Sequence, residues 1–291
     1  MPMRFACFAL TCVSLAAGPP RPEIHGGTPA VSPDGSRIAY MSDRGGITAL
    51  FVIAADGAGE TELIGSPALQ GFPRWAADGK RVMYFMKSGN GVELYAIDAD
   101  GGSQERIGVV RGRAPVLSPD GRRVTYAVGP YATSRLWIAD LNGAGARPLS
   151  AGTSPVWIGW WSPDGNSVAF AQRGPEGAQQ VWISGLDGSG LRQFPRIDPA
   201  EGSAEWPAWS PDGRRLAVQV TKPVAGSAQI WIASLPSGEA KPIAPHQESY
   251  LDETPSWFPD GKRIALQSNR TGRMEIWVMH DDGSQPRQIT R

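Results

Sequence analysis

Short apolar runs with a large, small, large alternation of side chains recur along the whole chain. Each run follows an Asp-Gly pair, as Ile38-Ala39-Tyr40 does early in the chain and Val168-Ala169-Phe170 does later. An alternation with a period of two is typical of a β-strand that buries its two faces unequally. The same kind of strand is therefore predicted in every copy of a repeated sequence unit.

The repeated unit is marked by the tetrapeptide Ser-Pro-Asp-Gly or a near copy of it. Its aspartates are Asp34, Asp78, Asp120, Asp164, Asp212 and Asp260, at spacings of 44, 42, 44, 48 and 48 residues. A repeat of this length indicates that one supersecondary unit is copied along the chain. Proline presets the turn, aspartate can accept a hydrogen bond from the backbone two residues on, and glycine tolerates positive φ. The motif is therefore interpreted as structural, and its serines as non-catalytic.

Three further strands are predicted in each unit. A first strand carries a large apolar residue three positions before the aspartate: Val31, Trp75, Leu117, Trp161, Trp209 and Trp257. A third strand centres on an aromatic residue: Phe51, Tyr95, Trp137, Trp182, Trp231 and Trp277. A fourth strand carries an apolar residue 12 positions later: Leu63, Ile107, Leu149, Phe194, Ile243 and Ile289. Asp-Gly or Asn-Gly pairs between the third and fourth strands in five copies are strong hairpin signals.

Six units of four antiparallel strands predict an all-β fold, a six-bladed β-propeller of four-stranded antiparallel blades. The propeller is expected to occupy residues 28–291 as one domain, with the first-strand tryptophans filling the gaps between blades. Copy one begins with an innermost strand and copy six ends with an outermost one, so no blade is built from both termini unless Glu23 to His25 adds a strand. Closure of the ring is therefore expected to depend on packing through Val31, Phe51, Trp257 and Trp277.

The sixth copy also carries a family resemblance. The segment Trp257-Phe258-Pro259-Asp260-Gly261-Lys262-Arg263-Ile264-Ala265-Leu266-Gln267-Ser268-Asn269-Arg270-Thr271-Gly272, followed by Glu275-Ile276-Trp277-Val278-Met279, closely resembles the repeat of TolB-type propellers. The resemblance covers Thr28 to Arg291 and implies the same six-bladed fold. TolB proteins carry a small α/β domain ahead of the propeller, and we expect none in this chain. Because such propellers host many activities, the resemblance identifies the fold better than the function.

The first 17 residues differ from the rest of the chain. Arg4 precedes an apolar run from Phe5 to Val13, which ends in small residues at Ala16 and Ala17. This pattern predicts a secretory signal peptide at residues 1–17, followed by a linker at 18–27. The mature chain is expected to be periplasmic or secreted and monomeric, without a membrane span. Cys7 and Cys12, both inside the signal, would be removed with it.

Charge and motif content exclude several functions. The 28 basic residues balance 28 acidic ones, so neither a nucleic acid nor a membrane surface is an expected partner. The sequence has no G-x-S-x-G elbow, no Walker phosphate loop, no C-x-x-C and no H-E-x-x-H. The histidines His25, His246 and His280 fall in different parts of the repeat. We therefore expect no catalytic residues, no metal and no cofactor.

Loops that differ between copies are the expected seat of recognition on a rigid scaffold. These are the loops that enter each blade and those that join its second and third strands. The loop that enters blade three contributes Arg111 and Arg113, the loop that enters blade five contributes Glu205, followed by Trp206, and the loop that enters blade six contributes Asp252 and Glu253. Blades three and six are opposite in the ring, so the mouth is expected to be basic on one side and acidic on the other. Trp157 and Trp160 are additions peculiar to copy four.

These residues lead to three hypotheses. The first is a non-catalytic binding propeller of the cell envelope that recognises a protein or peptide at this loop face. The second is a sugar or small-ligand sensor in which Trp157, Trp160 and Trp206 stack on a ring. The third is a carbohydrate lyase or lactonase, for which Glu205 and Glu253 are the plausible carboxylate pair. A packing role for Trp157 and Trp160, with solvated charges around them, is the alternative to any site.

Overall fold

Six antiparallel sheets of four strands each make up the part of the chain that the structure describes, which confirms the predicted all-β propeller. The structure is a computed structural model, and it describes residues 26–291 except 90, 150–153, 175, 223–226, 236 and 244–248. The predicted signal peptide, most of the linker, His25 and His246 lie outside the described residues. Each sheet is one blade and contains four consecutive strands, so its first strand is innermost and its fourth outermost.

The strands of blades one to three are β1 (Gly27–Val31), β2 (Arg37–Ser42), β3 (Ala49–Ala54), β4 (Thr61–Gly65), β5 (Leu69–Trp75), β6 (Arg81–Ser88), β7 (Gly91–Asp98), β8 (Gln104–Val110), β9 (Arg113–Leu117), β10 (Arg123–Val128), β11 (Arg135–Asp140) and β12 (Arg147–Pro148). Those of blades four to six are β13 (Val156–Trp161), β14 (Ser167–Arg173), β15 (Gln179–Gly185), β16 (Arg192–Gln193), β17 (Ser203–Trp209), β18 (Arg215–Thr221), β19 (Ala228–Ser234), β20 (Ala240–Pro242), β21 (Asp252–Trp257), β22 (Arg263–Ser268), β23 (Glu275–His280) and β24 (Arg287–Gln288). A 3₁₀ helix, Tyr131–Thr133, lies between β10 and β11.

The outermost strands are shorter than predicted in four blades. Leu149, Phe194, Ile243 and Ile289 lie just beyond β12, β16, β20 and β24. Each of the four still donates its backbone N–H to a carbonyl of the third strand, as Ile289 does to Ile276 at 2.8 Å. The side chains of all four residues are buried. The apolar pattern therefore predicted their burial correctly, although they lie beyond the ends of the paired strands.

The Ser-Pro-Asp-Gly motif forms a hydrogen-bonded turn between the first and second strands. In blade one the Ser32 hydroxyl donates to Asp34 Oδ1 at 2.6 Å, and the Ser36 N–H donates to the same oxygen at 3.0 Å. The Ser32 oxygen in turn accepts the Arg37 N–H at 2.9 Å. The Ser32 and Ser36 hydrogen bonds lower the pKa of Asp34 to about 2. The next residue, Gly35, has a φ of 73°, which favours glycine. These contacts give the motif a structural role.

The first-strand tryptophans connect neighbouring blades, as the sequence predicted. Each indole N–H donates to a first-strand carbonyl of the preceding blade: Trp75 to Ala30 at 2.8 Å, Trp161 to Val116 at 3.0 Å, Trp209 to Trp160 at 3.2 Å and Trp257 to Ala208 at 3.1 Å. Burial of a large ring together with its polar N–H is favourable only where that N–H has a partner. The repeat supplies that partner at each of these interfaces.

An arginine three positions after the turn aspartate adds a second connection between blades. Its guanidinium covers the tryptophan of the next blade and donates to the carbonyl of that blade's turn glycine. The three examples are Arg37 with Trp75 and Gly79, Arg123 with Trp161 and Gly165, and Arg215 with Trp257 and Gly261. The sequence pattern did not predict these contacts, because they join residues of successive copies.

The ring closes by contact between blades one and six, and among the described residues neither of these blades contains strands from both ends of the chain. The segment Glu23 to His25, which the sequence left open as an added strand, lies outside the described residues. Gln267 Oε1 accepts the Thr28 N–H at 2.9 Å, and the Arg287 guanidinium donates to the carbonyls of Ala55 and Asp56 at 2.6 and 2.8 Å. The N–H of Gly26 donates to the Met274 carbonyl at 2.9 Å. Hydrogen bonds of side chains and backbone therefore fasten the first blade to the last.

The packing at this closure differs in part from the prediction. Phe51 and Val31 do pack in the cluster that joins blades one and six, but their partners there include Phe258 and Ile276. Trp257 and Trp277 instead pack with residues of blade five. Consecutive side chains on an extended chain point in opposite directions, so Trp257 faces one neighbouring blade and Phe258 the other.

Candidate functional site

The innermost strands are distorted near the loop face, where the loops that enter the blades and those between second and third strands emerge. In blades one, three, five and six the residue before a proline has a positive φ: Thr28 at 50°, Ala114 at 47°, Trp206 at 51° and Thr254 at 50°. Each lies at an irregularity in the pairing of its first strand. This backbone is unfavourable for residues with a side chain, above all for threonine and tryptophan. Because it recurs in four blades, we attribute it to the scaffold.

Three aromatic side chains meet at the propeller axis, and we call them the axial aromatic cluster: Phe72, Trp160 and Trp206. The Phe72 and Trp206 ring centroids are 5.1 Å apart, and Trp160 meets Trp206 edge-on at 5.4 Å. Trp160 and Trp206 are 9% and 8% exposed. Two of the predicted binding tryptophans therefore pack on each other instead of offering a free ring face.

A second cluster lies at the rim of blades three and four, and we call it the rim cluster: Arg113, Tyr131 and Trp157. The Arg113 guanidinium lies 3.7 Å from the Tyr131 ring centroid and donates to the Gly129 carbonyl at 2.8 Å. The Trp157 indole N–H donates to the Tyr131 carbonyl at 2.9 Å. Tyr131 is 48% exposed, and it is the residue of this cluster that the sequence reasoning missed. The sequence feature that could have identified Tyr131 is its position in a loop that differs between the copies.

A small pocket of about 40 Å³ connects the two clusters. Its walls come from blades two to five, with apolar side chains, one amide and one carboxylate: Phe72, Ala114, Trp157, Ile158, Trp160, Ala171, Gln179, Glu205 and Trp206. Four of the residues singled out from the sequence, Trp157, Trp160, Glu205 and Trp206, thus line one pocket. Arg113 lies beside this pocket in the rim cluster, and Arg111, two residues earlier in the chain, is exposed.

The predicted acidic side of the mouth is a buried set of carboxylates. Asp252 accepts hydrogen bonds from Ser268 at 2.6 Å and from the Arg270 guanidinium at 2.6 Å, and the side chains of this ion pair are 5% and 9% exposed. Glu253, 4% exposed, accepts from the Gln267 amide at 2.7 Å. A buried paired carboxylate is costly to separate from its donors. Asp252 and Glu253 therefore hold blade six together, and the expectation of an acidic surface opposite blade three was wrong for these two side chains.

Among the described residues, no group of three or more His, Cys, Asp and Glu side chains is arranged to hold a metal ion. No helix in the described ranges has the length and apolar content to cross a membrane.

Comparison with known proteins supports the same family as the repeat. The family model described as TolB beta propeller domain matches residues 21–131 and 129–291. The Tol-Pal system protein TolB of Anaeromyxobacter dehalogenans strain 2CP-1 is 50% identical over 44 residues, which cover 15% of this chain and 10% of that protein. The matched segment therefore spans about a tenth of that curated relative.

Solved structures extend the likeness over most of the chain. TolB from Acinetobacter baumannii superposes with a TM-score of 0.71 at 19% identity, covering 89% of this chain and 64% of that one. An oligogalacturonate lyase from Vibrio parahaemolyticus superposes with a TM-score of 0.59 at 16% identity, covering 93% and 78%. At these identities the structures establish the fold alone. With its repeats, its six blades and a family match over nearly its whole length, the chain belongs to the TolB β-propeller domain family.

Proposed function

We propose that this chain is a non-catalytic binding propeller that recognises a protein or peptide segment at the loop face of blades three to five. The observation that carries the proposal is the rim cluster, in which Arg113, Tyr131 and Trp157 stand exposed or half-buried beside an apolar pocket. Arginine, tyrosine and tryptophan are the residues that dominate binding energy at protein interfaces.

The rim cluster is held in place before any partner arrives. Arg113 is fixed by the Gly129 carbonyl and the Tyr131 ring, and Trp157 by its bond to the Tyr131 carbonyl. Side chains that are already ordered lose little rotamer entropy on binding. The pocket of about 40 Å³ fits one small apolar side chain of the partner, and the exposed Arg111 favours an acidic residue next to it.

The location is part of the same proposal. The charged start, apolar middle and small residues of Met1 to Ala17 support export, and we propose a periplasmic or secreted protein of the cell envelope. The relative named as a Tol-Pal system protein is consistent with this placement. Because basic and acidic residues balance, no excess of positive charge favours a nucleic acid, and we propose a protein partner in the envelope.

The two other hypotheses are less well supported by the geometry. Sugar stacking needs accessible ring faces, and the axial aromatic cluster leaves only Trp157 of the three proposed tryptophans half-buried. The lyase or lactonase hypothesis needs Glu205 and Glu253 as a working pair. Glu253 is instead engaged by the Gln267 amide within its own blade.

A displayed random-peptide library tests the proposal. Peptides selected on the immobilised full chain are measured for affinity by fluorescence anisotropy against the wild type and against Arg113→Ala and Trp157→Ala. We expect each variant to weaken binding by about tenfold or more at unchanged melting temperature. Val109→Ala, an exposed apolar position on β8, is the matched control and should bind as the wild type does. Selection of no peptide, or peptides indifferent to both variants, would contradict the proposal.

A further inference from the structure

A second cavity, of about 280 Å³, lies on the propeller axis between the axial aromatic cluster and the Asp-Gly turns. Residues of all six blades line it. The rings of Phe72, Trp160 and Trp206 form one end, and the turn prolines Pro119, Pro163 and Pro211 mark the other. The cavity is therefore entered from the face opposite the loop face.

One side of this cavity carries an arginine without a partner. Arg74, on β5, lines the cavity with a half-buried side chain, and its guanidinium has no hydrogen bond or ion pair with any residue that the structure describes. The cavity walls contain no carboxylate. Burial lowers the pKa of Arg74 to about 10, so the guanidinium stays charged at neutral pH. A partly desolvated charge with no protein partner is unfavourable for folding, which favours a role beyond the scaffold.

Two unsatisfied hydroxyl groups belong to the same cavity. The Oγ1 atoms of Thr28 and Thr254 are buried without a hydrogen-bond partner, and both residues line the cavity wall. Thr254, 8% exposed, belongs to blade six and Thr28 to blade one, while Arg74 belongs to the adjacent blade two. Buried polar groups in native proteins nearly always have partners. Two such hydroxyls, together with the unpaired guanidinium of Arg74 in the same cavity, indicate that the partner is a ligand.

The opposite side of the cavity is apolar apart from Ser118, whose hydroxyl donates to Asp120. Val116 of blade three, Trp160 of blade four and Ala208 of blade five line it. A ligand that satisfies both sides therefore has a charged or polar end towards blades six, one and two and an apolar body towards blades three, four and five.

We propose that this cavity binds the carboxylate of a small apolar acid, with Arg74 as the counter-ion and the Thr28 and Thr254 hydroxyls as further donors. A planar guanidinium pairs with a carboxylate through two parallel hydrogen bonds. Inorganic phosphate would present polar oxygens to the apolar side and lose its hydration there, so it fits less well. The carboxylate can belong to a free acid or to the C-terminus of a peptide, and the chemistry is the same.

Calorimetric titration of the full chain tests this site. The probes are benzoate and hexanoate, with acetate, inorganic phosphate and hexanol as comparisons. We expect benzoate or hexanoate to bind, acetate to bind more weakly, and phosphate and hexanol to give no heat of binding. Arg74→Met should weaken binding by about tenfold or more, and Thr254→Val by several-fold. Arg81→Met, at an arginine whose partner Glu105 is on the surface, is the control and should bind as the wild type does.

A short peptide ending in phenylalanine, as the free acid and as the amide, separates the two sources. Binding of the free acid form but not of the amide assigns a peptide C-terminus; binding of benzoate or hexanoate without the peptide assigns a free acid. Either result supports the carboxylate site. Absence of binding by every carboxylate, or equal binding by Arg74→Met, would overturn it.

Thermal unfolding gives a readout that a structural arginine would not produce. Without ligand, Arg74→Met should unfold at the same or a higher temperature than the wild type, since it removes an unpaired desolvated charge. Benzoate should raise the melting temperature of the wild type but not that of the variant. A clear fall in the melting temperature of Arg74→Met without ligand would assign the arginine to the scaffold. Peptide binding at the rim cluster should be unchanged in this variant, which keeps the two proposals separable.

Discussion

Phe72 of blade two and Trp206 of blade five come from opposite sides of the ring, and their ring centroids lie 5.1 Å apart on the propeller axis. This contact divides the central channel. The small pocket beside the rim cluster lies on one side, and the larger cavity with Arg74 lies on the other. A propeller of this size thus has two separate candidate sites on one axis.

At Trp206 a glycine variant should be more stable than an alanine variant, which is the reverse of the usual order within a strand. Trp206→Ala and Trp206→Gly both remove a buried ring, at a cost of about 3 to 5 kcal/mol in the free energy of unfolding. Because φ is 51°, the glycine variant should be more stable than the alanine variant by about 1 kcal/mol. Denaturant unfolding measures both.

Trp160 is the control for this comparison, because it lies in β13 without a positive φ. There the glycine variant should be less stable than the alanine variant, by about 0.5 to 1 kcal/mol. The same order of stability at both positions would show that the left-handed backbone at Trp206 is not strained.

Gln267 should matter more to stability than Gln219, which occupies the same register in blade five. Each amide oxygen accepts the N–H of a left-handed threonine, Thr28 for Gln267 and Thr254 for Gln219. Gln267 also donates to the buried Glu253. Gln267→Leu should therefore cost about 2 to 4 kcal/mol, and Gln219→Leu about 1 to 2 kcal/mol, since only the first leaves a buried carboxylate without this donor.

Hydrogen exchange followed by mass spectrometry locates the effect of each variant. Gln267→Leu should speed exchange in β1 and β22, on both sides of the ring closure. Gln219→Leu should act on β18 and β21 instead. Equal costs for the two variants, or exchange spread evenly over all blades, would refute a special role of Gln267 in closure.

The turn aspartates should make the protein sensitive to acid. Hydrogen bonds from the turn serines and from the backbone lower the pKa of four of them: Asp34, Asp120, Asp164 and Asp212. A carboxyl group whose pKa is lower in the folded than in the unfolded chain stabilises the fold at any pH above the unfolded pKa. This stabilisation is lost as the pH falls through the folded pKa. The melting temperature should therefore fall between about pH 4 and about pH 2, the folded value for Asp34.

Ser32→Ala tests the cause of this pH dependence. It removes the shortest hydrogen bond to Asp34 and should lower the melting temperature at neutral pH. The difference from the wild type should shrink towards about pH 2, where Asp34 becomes protonated in both proteins. A difference that stays constant from neutral to acid pH would assign the effect of Ser32 to its bond with the Arg37 N–H instead.

Export is checked on the full sequence produced in a Gram-negative host. Mass spectrometry of the periplasmic product should show a chain that lacks residues 1–17, and with them Cys7 and Cys12. Leu10→Arg, which interrupts the apolar run, should leave the chain unprocessed in the cytoplasm. An unprocessed wild-type chain would contradict the signal prediction and the proposed location.

The sequence by itself determined the number of blades, the four strands of each and the turns between them. This was possible because every copy repeats the same local signals, and errors in one copy are corrected by the others. The tryptophan positions between blades followed in the same way, as the bond from Trp161 to Val116 illustrates. Trp157, Glu205 and Trp206 were also identified from the sequence, because they depart from the repeat.

Only the tertiary structure decided what these departures do. Asp252 is an interior residue because strand pairing brings Arg270 beside it, and no spacing rule predicts that pair. Arg74, Thr28 and Thr254 are ordinary residues of three different copies, far apart in sequence and without a shared motif. They line one cavity because the ring closes and places blade six beside blade one. Repetition specifies the blade, and closure of the ring determines which side chains share the axis.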